Sequence, residues 1–588
     1  MAPPFPETKI TLDYPLYGCD FDPQDPNRLF VAGGGGASRT GVGNKITLLD
    51  ATSREKLQVA GEITLSKNED NPTNLVAGQR KGKATLLYAG INSSVDDIDK
   101  GNNAHFRVFG AEQAPSKAKS ILGARISELS RSTLFSSQDK DAYQRLLRVT
   151  QPFAGAAQFG AVATGLAKES QIALFEVAAG NNAAPRSMGV LDLSKEAADL
   201  DVVQTDKGKF QLMYCDNHNI YTLDVAETST TGEPKSIYTM PDDDAKPSFR
   251  CIRYLSPKFA IAVANLPSPG GVVLYGFRLP KAGREDGVAR IAVNTKLPKR
   301  KGAKATGLAI ANLSPISTLG ATQGDTQFVI AVANNDFSIH LYSLDHRIMG
   351  DVDLLANLHP LQVLKEVHPA MITNLCFSHF SPPKAPTART QYLKLASTSV
   401  SNSVVVQSIP LKKFTDRSGK VRRGGPPRQP RYVTALQATS PSPTSMLLFF
   451  AAVALIFSIL VQGVLEVRGL AQPTVGGHKW LPSSIHAVPA TRPAPHAGFL
   501  ARLLEGSNMA QHKDGIVLLD SEIPGELKVD TTHDGSARSW EELAPQQQTL
   551  WKQRLQKSGH WAEDMGTVVF KGILFGELAG AVGAMVGG

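Results

Sequence analysis

The chain has 588 residues, 42% hydrophobic and 20% charged, which excludes a disordered or fibrous protein and leaves room for several domains or one large ring of sheets. Its four cysteines, Cys19, Cys215, Cys251 and Cys376, are too few and too scattered for a disulfide framework or a CxxC metal site. The formal net charge of +9 is local: residues 411–432 hold eight basic side chains against the single acid Asp416, a net of +7, which leaves +2 for all the rest. A nucleic-acid-binding fold spreads basic side chains over a face, so this distribution argues against nucleic acid as a partner.

In chain order, the first ten residues lack an apolar core segment, so no cleaved signal peptide is expected. The next four hundred alternate short apolar runs with turn residues and show almost no helical period. One pattern recurs: an apolar strand, a small or polar turn, then a β-branched or aromatic strand. It stands at 29–50, 85–109, 159–177, 210–225, 259–277, 328–344 and 392–409. Two copies, FVIAVANNDFSIHLYSL and YLKLASTSVSNSVVVQSI, resemble the second and third strands of a degenerate WD repeat. Seven copies predict an all-β fold over 1–410, a seven-bladed WD-repeat-like β-propeller; the alternative is a smaller ring with one hairpin misread. Pro410 and the basic stretch follow the third strand of the last copy, which leaves its outer strand missing. Residues 9–12 (KITL) have no blade of their own and are expected to supply that strand and close the ring.

Propeller hairpins usually turn in two to five residues. The first copy is expected to break this rule. Gly33-Gly34-Gly35-Gly36-Ala37-Ser38-Arg39-Thr40-Gly41-Val42-Gly43-Asn44 separates two strands and holds six glycines in twelve residues. It is no Walker loop, because Val42 stands where lysine must be, and it is no dinucleotide fingerprint, because no helix follows. Composition leaves two readings open: a floppy surface loop, or an ordered projection whose carbonyls converge on a hard cation.

The segments Tyr14-Pro15-Leu16-Tyr17-Gly18, Val31-Ala32 with the four glycines, and Gly41-Val42-Gly43-Asn44 together resemble the Sec-twelve-type exchange factors of the endoplasmic reticulum, the prolactin regulatory element-binding protein family. Asp70-Asn71-Pro72-Thr73, Ala333-Asn334-Asn335-Asp336 and His368-Pro369-Ala370-Met371-Ile372-Thr373 add to the likeness, which covers about residues 12–410 and the order propeller, basic linker, single span. The resemblance implies a guanine nucleotide exchange factor that binds a small Sar-type GTPase and drives GDP release, so that GTP enters and the COPII coat assembles. It implies that the glycine loop is the exchange element, with Gly41, Val42, Gly43 and Asn44 as its working residues, Val42 an apolar probe and Asn44 a polar one. It also implies a potassium ion held by main-chain carbonyls within Gly36, Ala37, Ser38, Arg39, Thr40 and Gly41, with Gly33, Gly34, Gly35 and Gly36 as structural glycines. No bond is broken in such a reaction, and the sequence offers no GxSxG, HExxH or paired-carboxylate constellation. The alternative function is a catalytically silent, membrane-tethered scaffold that docks coat or cargo proteins; such a scaffold has no use for a long glycine finger.

The basic, Pro-rich linker is expected at 411–445 and a transmembrane helix at 446–465, twenty residues without a charge. Eight basic residues before the span and few after it predict a cytosolic propeller, a signal-anchor and a lumenal C-terminus in the endoplasmic reticulum membrane. The region 466–588 is expected to be partly disordered, Pro-rich over 472–495, with a helix at about 540–558 capped by Ser539.

Overall fold

The computed structural model describes residues 5–481, apart from 38–40, 113–122, 138, 179–183, 227–231, 243–245, 268–269, 282–286, 299–301, 384–389, 415–430, 435–442, 469 and 473; beyond 481 it describes 517–520, 527–530, 545–546, 549 and 553. The chain divides into two units, Met1–Ser440 and Pro441–Gly588.

The apolar runs of the first unit form seven antiparallel sheets, six of four strands and one of five, each built from strands consecutive in the sequence except the last. Blade one holds Leu16–Asp22, Asp25–Gly33, Lys45–Asp50 and Gln58–Thr64. Every hairpin read from the sequence is the second and third strand of a blade, from the first pair to Gln391–Ser399 with Ser403–Phe414. The second and third strands are buried along almost their whole length, as in Gln158–Gly165 and Ser170–Val177, because both faces pack on neighbouring blades. This explains their continuous Val, Ile, Leu and Ala runs in place of polar alternation. The core is accordingly a ring of clusters between blades. Phe30, Ile46 and Leu48 of blade one meet Leu75, Leu87 and Phe109 of blade two. Val329, Ala331 and Leu341 of blade six meet Leu375, Leu393 and Ile409 of blade seven.

The ring closes as expected. Glu7–Thr11 pairs antiparallel with Ser403–Phe414, with Lys9 opposite Val405 and Ile10 opposite Val404. Two expectations need correction. Pro410 does not end the strand: it lies opposite Tyr392, beyond Gln407 where the closing strand stops, so its missing N–H costs no ladder bond on that edge. The strand runs on to Phe414 and is joined by Arg431–Thr434, so ordered β structure reaches into the basic stretch. Thr434 N–H donates to Gln327 Oε1 of blade six at 2.8 Å, and Tyr432 packs edge-on against Phe380. The glycine loop is also not alone in its length. In blade two, fifteen residues separate Ala84–Gly90 from Phe106–Glu112, and they include the short helix Val95–Asp99 capped by Ser94.

In the second unit, the helix Pro443–Val467 contains Met446–Val467, which is long and apolar enough to cross a membrane. After it the chain turns back: the Glu466 carboxylate accepts from the backbone N–H groups of Thr474, Val475 and Gly477 at 2.6–2.8 Å. Val517–Asp520 and Leu527–Asp530 pair antiparallel. Of the helix expected at 540–558, residues 545–546, 549 and 553 are described and helical; the rest, and the Pro-rich segment past 481, lie outside the described residues.

Candidate functional site

The twelve-residue glycine loop leaves blade one at Gly33, which pairs both with Leu16 and with Lys45. Its foot is crowded. A Cβ on Gly33 would fall 1.9 Å from the Pro15 carbonyl oxygen, and Gly34 N–H donates to that same oxygen at 3.0 Å. Gly34 has φ +147°, and a Cβ there would lie 2.2 Å from Asn44 Oδ1. Gly36 has φ +72°, with Asp70 Oδ1 2.9 Å from where its Cβ would stand. Glycine is therefore required at these three positions by close approach, by left-handed backbone, or by both. Gly35 is half-buried.

Asn44 holds the two arms of the foot together. It is only 1% exposed. Its Oδ1 accepts from Gly36 N–H at 2.9 Å, and its Nδ2 donates to the carbonyls of Ser66 and Glu69, both at 3.1 Å, and of Asp70 at 3.4 Å. Its own carbonyl accepts from Leu65 N–H at 2.8 Å. The polar side chain expected to probe a partner is instead turned inward as a brace. Val42 is half-buried and packs on the cluster between blades seven and one, as Ile10 and Leu12 also do. The tip is different: Ala37 and Gly41 are exposed, Gly43 is half-buried, and a Cβ on Gly41 or Gly43 would meet nothing within 4 Å. Ser38, Arg39 and Thr40 lie outside the described residues.

The brace itself is the link from blade one to blade two, residues 65–73. Asp70 Oδ1 accepts from Asn71 N–H at 2.8 Å, and Asp70 N–H donates to the Asn92 carbonyl at 3.1 Å. Asn92 belongs to the long blade-two connection and is tied in turn to Asn103 and to the Ala142 carbonyl of the next blade. Glu69 pairs with Arg107, 1% exposed, at 2.9 Å and with Arg131 at 3.0 Å. On the other side of the loop, Lys45 bridges Asp13 at 2.8 Å and Glu62 at 3.0 Å; its ammonium holds the Asp13 carboxyl below the usual carboxylate range. Burial, and then the Asp70 charge, push the Tyr17 hydroxyl up. Among the described residues, the surroundings of the foot are thus backbone carbonyls and hydrogen-bonded or ion-paired carboxylates.

Two features of this end were missed from sequence. The blade-two connection was hidden inside the 85–109 hairpin, although Ser94 three residues before Asp97 is a helix-start signal. The inward turn of Asn44 carries no sequence signal, because its partners lie 22 to 26 residues away.

No family model matches the chain. A stretch of 100 residues, 16% of the chain, is 37% identical to the guanine nucleotide-exchange factor SEC12 of Candida glabrata. The chain resembles SEC12. A stretch of 103 residues is 36% identical to SED4 of Saccharomyces cerevisiae. These matches span 20% and 9% of the relatives' own lengths. Among solved structures, the Saccharomyces cerevisiae Sqt1 crystal structure aligns with a TM-score of 0.40 at 11% identity, over 68% of this chain and 98% of that one. A chain of the COPII outer coat vertex on membranes aligns with a TM-score of 0.40 at 10% identity, over 74% and 93%.

Proposed function

We propose that this chain is a membrane-anchored guanine nucleotide exchange factor for a small Sar-type GTPase, acting at the endoplasmic reticulum membrane to start COPII coat assembly. The observation that carries the reading is the glycine loop: a foot pinned to the propeller through Asn44, and a tip exposed at Ala37 and Gly41. The partial likeness to SEC12 supports it. The reaction needs no acid, base or nucleophile, since no covalent bond changes. An exchange factor binds the nucleotide-free GTPase more tightly than the loaded one, and by linkage it weakens nucleotide by the same factor. GTPase switch segments are held by phosphate and magnesium contacts. A loop with six glycines in twelve residues brings few bulky side chains, Arg39 and Val42, to such a cleft, and the rigid ring resists the reaction force. Val42, half-buried between the exposed Gly41 and the ring, offers the uncovered part of its side chain as the apolar contact; Asn44 works by fixing the loop.

The reading includes a potassium ion bound where the tip leaves the foot. The donors on offer are main-chain oxygens, with Gly36 leaving open the space in which a Cβ would stand 2.9 Å from the Asp70 carboxylate. Carbonyls and one carboxylate suit a hard cation. The carbonyls of Gly36, Ala37 and Gly41, with those of 38–40, would hold it, and its contribution is order in the tip.

The helix Met446–Val467 anchors the chain. The basic residues of 411–432 precede it, and this charge asymmetry supports a cytosolic propeller and a lumenal C-terminus. There the anchor holds the newly loaded GTPase beside the bilayer.

The decisive experiment is GDP release from a Sar-type GTPase with the full chain in detergent or liposomes. Acceleration by wild type, reduced in Val42→Ala, is expected. A wild-type chain that binds the GTPase without accelerating release would leave the scaffold reading.

A further inference from the structure

The ring is closed at the seam between blade one and blade seven, and that seam carries two thiols. Cys19 lies on the innermost strand of blade one, Leu16–Asp22, and Cys376 on the innermost strand of blade seven, Ile372–Phe377. Their sulfurs are 3.5 Å apart, across 357 positions of sequence. Cys19 is buried and Cys376 half-buried. Both line a cavity of about 430 Å³ that also reaches Asp20, next to Cys19, and Arg148 and Gln158 of blade three. A disulfide needs sulfurs about 2.05 Å apart, so the pair must close by roughly 1.5 Å. Apart from the backbone link 12–15, the seam is held without covalent bonds. The strand Glu7–Thr11 pairs with Ser403–Phe414, and the buried Lys394 ammonium donates to Asn27 Oδ1 and the Ala51 carbonyl, both at 2.6 Å.

We propose that Cys19 and Cys376 are a reversible oxidation site, in which a small hydroperoxide entering the cavity converts the thiol pair into a disulfide that clasps the first blade to the last. In the first step the peroxide O–O bond breaks. Cys376 Sγ takes one oxygen to become a sulfenic acid, and the other leaves as an alcohol, or as water from hydrogen peroxide. In the second step Cys19 Sγ attacks the sulfenyl sulfur. The S–S bond forms, the S–O bond breaks, and the departing hydroxide takes the Cys19 proton as water. Two thiols are oxidised by two electrons and one peroxide is reduced; a dithiol reductant reverses the change by exchange. Burial, with Cys19 and Asp20 beside it, pushes the Cys376 thiol up. It therefore stays protonated at neutral pH and oxidises more slowly than an exposed cysteine. Such a site responds to sustained oxidant rather than to trace peroxide. This inference concerns the ring and does not depend on the exchange activity.

The test uses the full chain in detergent, treated with hydrogen peroxide under native conditions, then alkylated and digested without reduction. Mass spectrometry should find the Cys19–Cys376 cross-linked peptide, and dithiothreitol should remove it. The cross-link closes a loop of several hundred residues, so the oxidised propeller should melt about 5 °C or more above the reduced one. That rise should vanish in Cys19→Ser and in Cys376→Ser, with alanine at either position as the alternative should serine unfold the seam. The double variant Cys215→Ser, Cys251→Ser should still form the clasp. Native protein that resists peroxide while unfolded protein oxidises would overturn the proposal. So would a cross-link that engages Cys215 or Cys251, or sulfinic and sulfonic products with no cross-link.

Discussion

Replacing Asn44 is the sharpest test of how the loop is held. In Asn44→Ala the Gly36 N–H loses its acceptor, and the Ser66, Glu69 and Asp70 carbonyls lose a shared donor. Ser66 is exposed and Glu69 and Asp70 are half-buried, so their carbonyls can turn to water. Gly36 is buried and its N–H cannot. Charging about 1–3 kcal/mol for that buried donor and a fraction of this for the carbonyls gives about 2–4 kcal/mol. The loss is local, because the inter-blade clusters are untouched and the backbone bond from Leu65 N–H to Asn44 remains. Amide hydrogen exchange at Gly34 and Gly36 should therefore quicken roughly 30- to 1,000-fold, with little change in global melting, while catalysed GDP release falls. Asn44→Asp is the harder test. It keeps an acceptor for Gly36 but sets a carboxylate oxygen against three carbonyls, so it should be at least as harmful as alanine. An aspartate variant with wild-type protection and wild-type GDP release would refute the brace.

Val42→Ala should slow catalysed GDP release about tenfold with the ring still folded, and exchange of potassium for lithium should slow wild type as well, both read by nucleotide fluorescence. Deleting residues 1–13 removes the closing strand together with buried Phe5 and the packing of Ile10 and Leu12; a loss of about 5 kcal/mol, seen as a lower melting temperature and aggregation along the bared Val404–Gln407 edge, is expected. His105 must stay neutral in the fold, because its Nε2 accepts from Leu134 and Phe135 N–H while Nδ1 donates to Gln144, and burial lowers it to about 4. The unfolded chain takes that proton first, near pH 6.5, so this group's share of stability is lost as pH falls from about 6.5 to 4, at up to about 1.4 kcal/mol per pH unit; His368, also lowered to about 4 by burial, adds to the wild-type slope, and urea unfolding should show a slope shallower by His105's share in His105→Gln.

The blades were legible because each one repeats the same local chemistry, apolar strand, turn, apolar strand, and burial on both faces writes that pattern continuously into the sequence. The closing strand was legible by subtraction: 9–12 had no hairpin of its own, and the last blade lacked an edge. What escaped were features set by distant partners. Pro410 looked like a terminator because proline forbids a ladder bond, yet the strand beside it had already ended at Gln407. Arg431–Thr434 is too short to read as a strand alone and is held through Gln327, over a hundred residues away. Asn44 looked like an exposed recognition residue because it sits among glycines; only its contacts with 66–70 show that it faces inward.

On the proposed function the loop must be thin where it meets its partner and stiff at its foot, and glycine serves the first need while undermining the second, since it has the most conformational freedom to lose. The structure resolves the conflict by using two kinds of glycine. Gly33, Gly34 and Gly36 sit where a Cβ would strike Pro15, Asn44 or Asp70 within 3 Å, so there the missing side chain is what lets the loop lie against its brace. Gly41 and Gly43 face open space. Gly43 also lies outside the left-handed region, so alanine fits it without strain and removes freedom from the unfolded loop, a gain of about 0.4–1 kcal/mol. Gly34→Ala has no such option: Asn44 must move, and the foot opens with it. The two substitutions, nine positions apart and chemically identical, should therefore separate. Gly43→Ala should keep the loop's hydrogen-exchange protection and Gly34→Ala should abolish it. Equal loss of protection in both would mean that the tip, too, is held by contacts, and that the division between foot and tip is drawn in the wrong place.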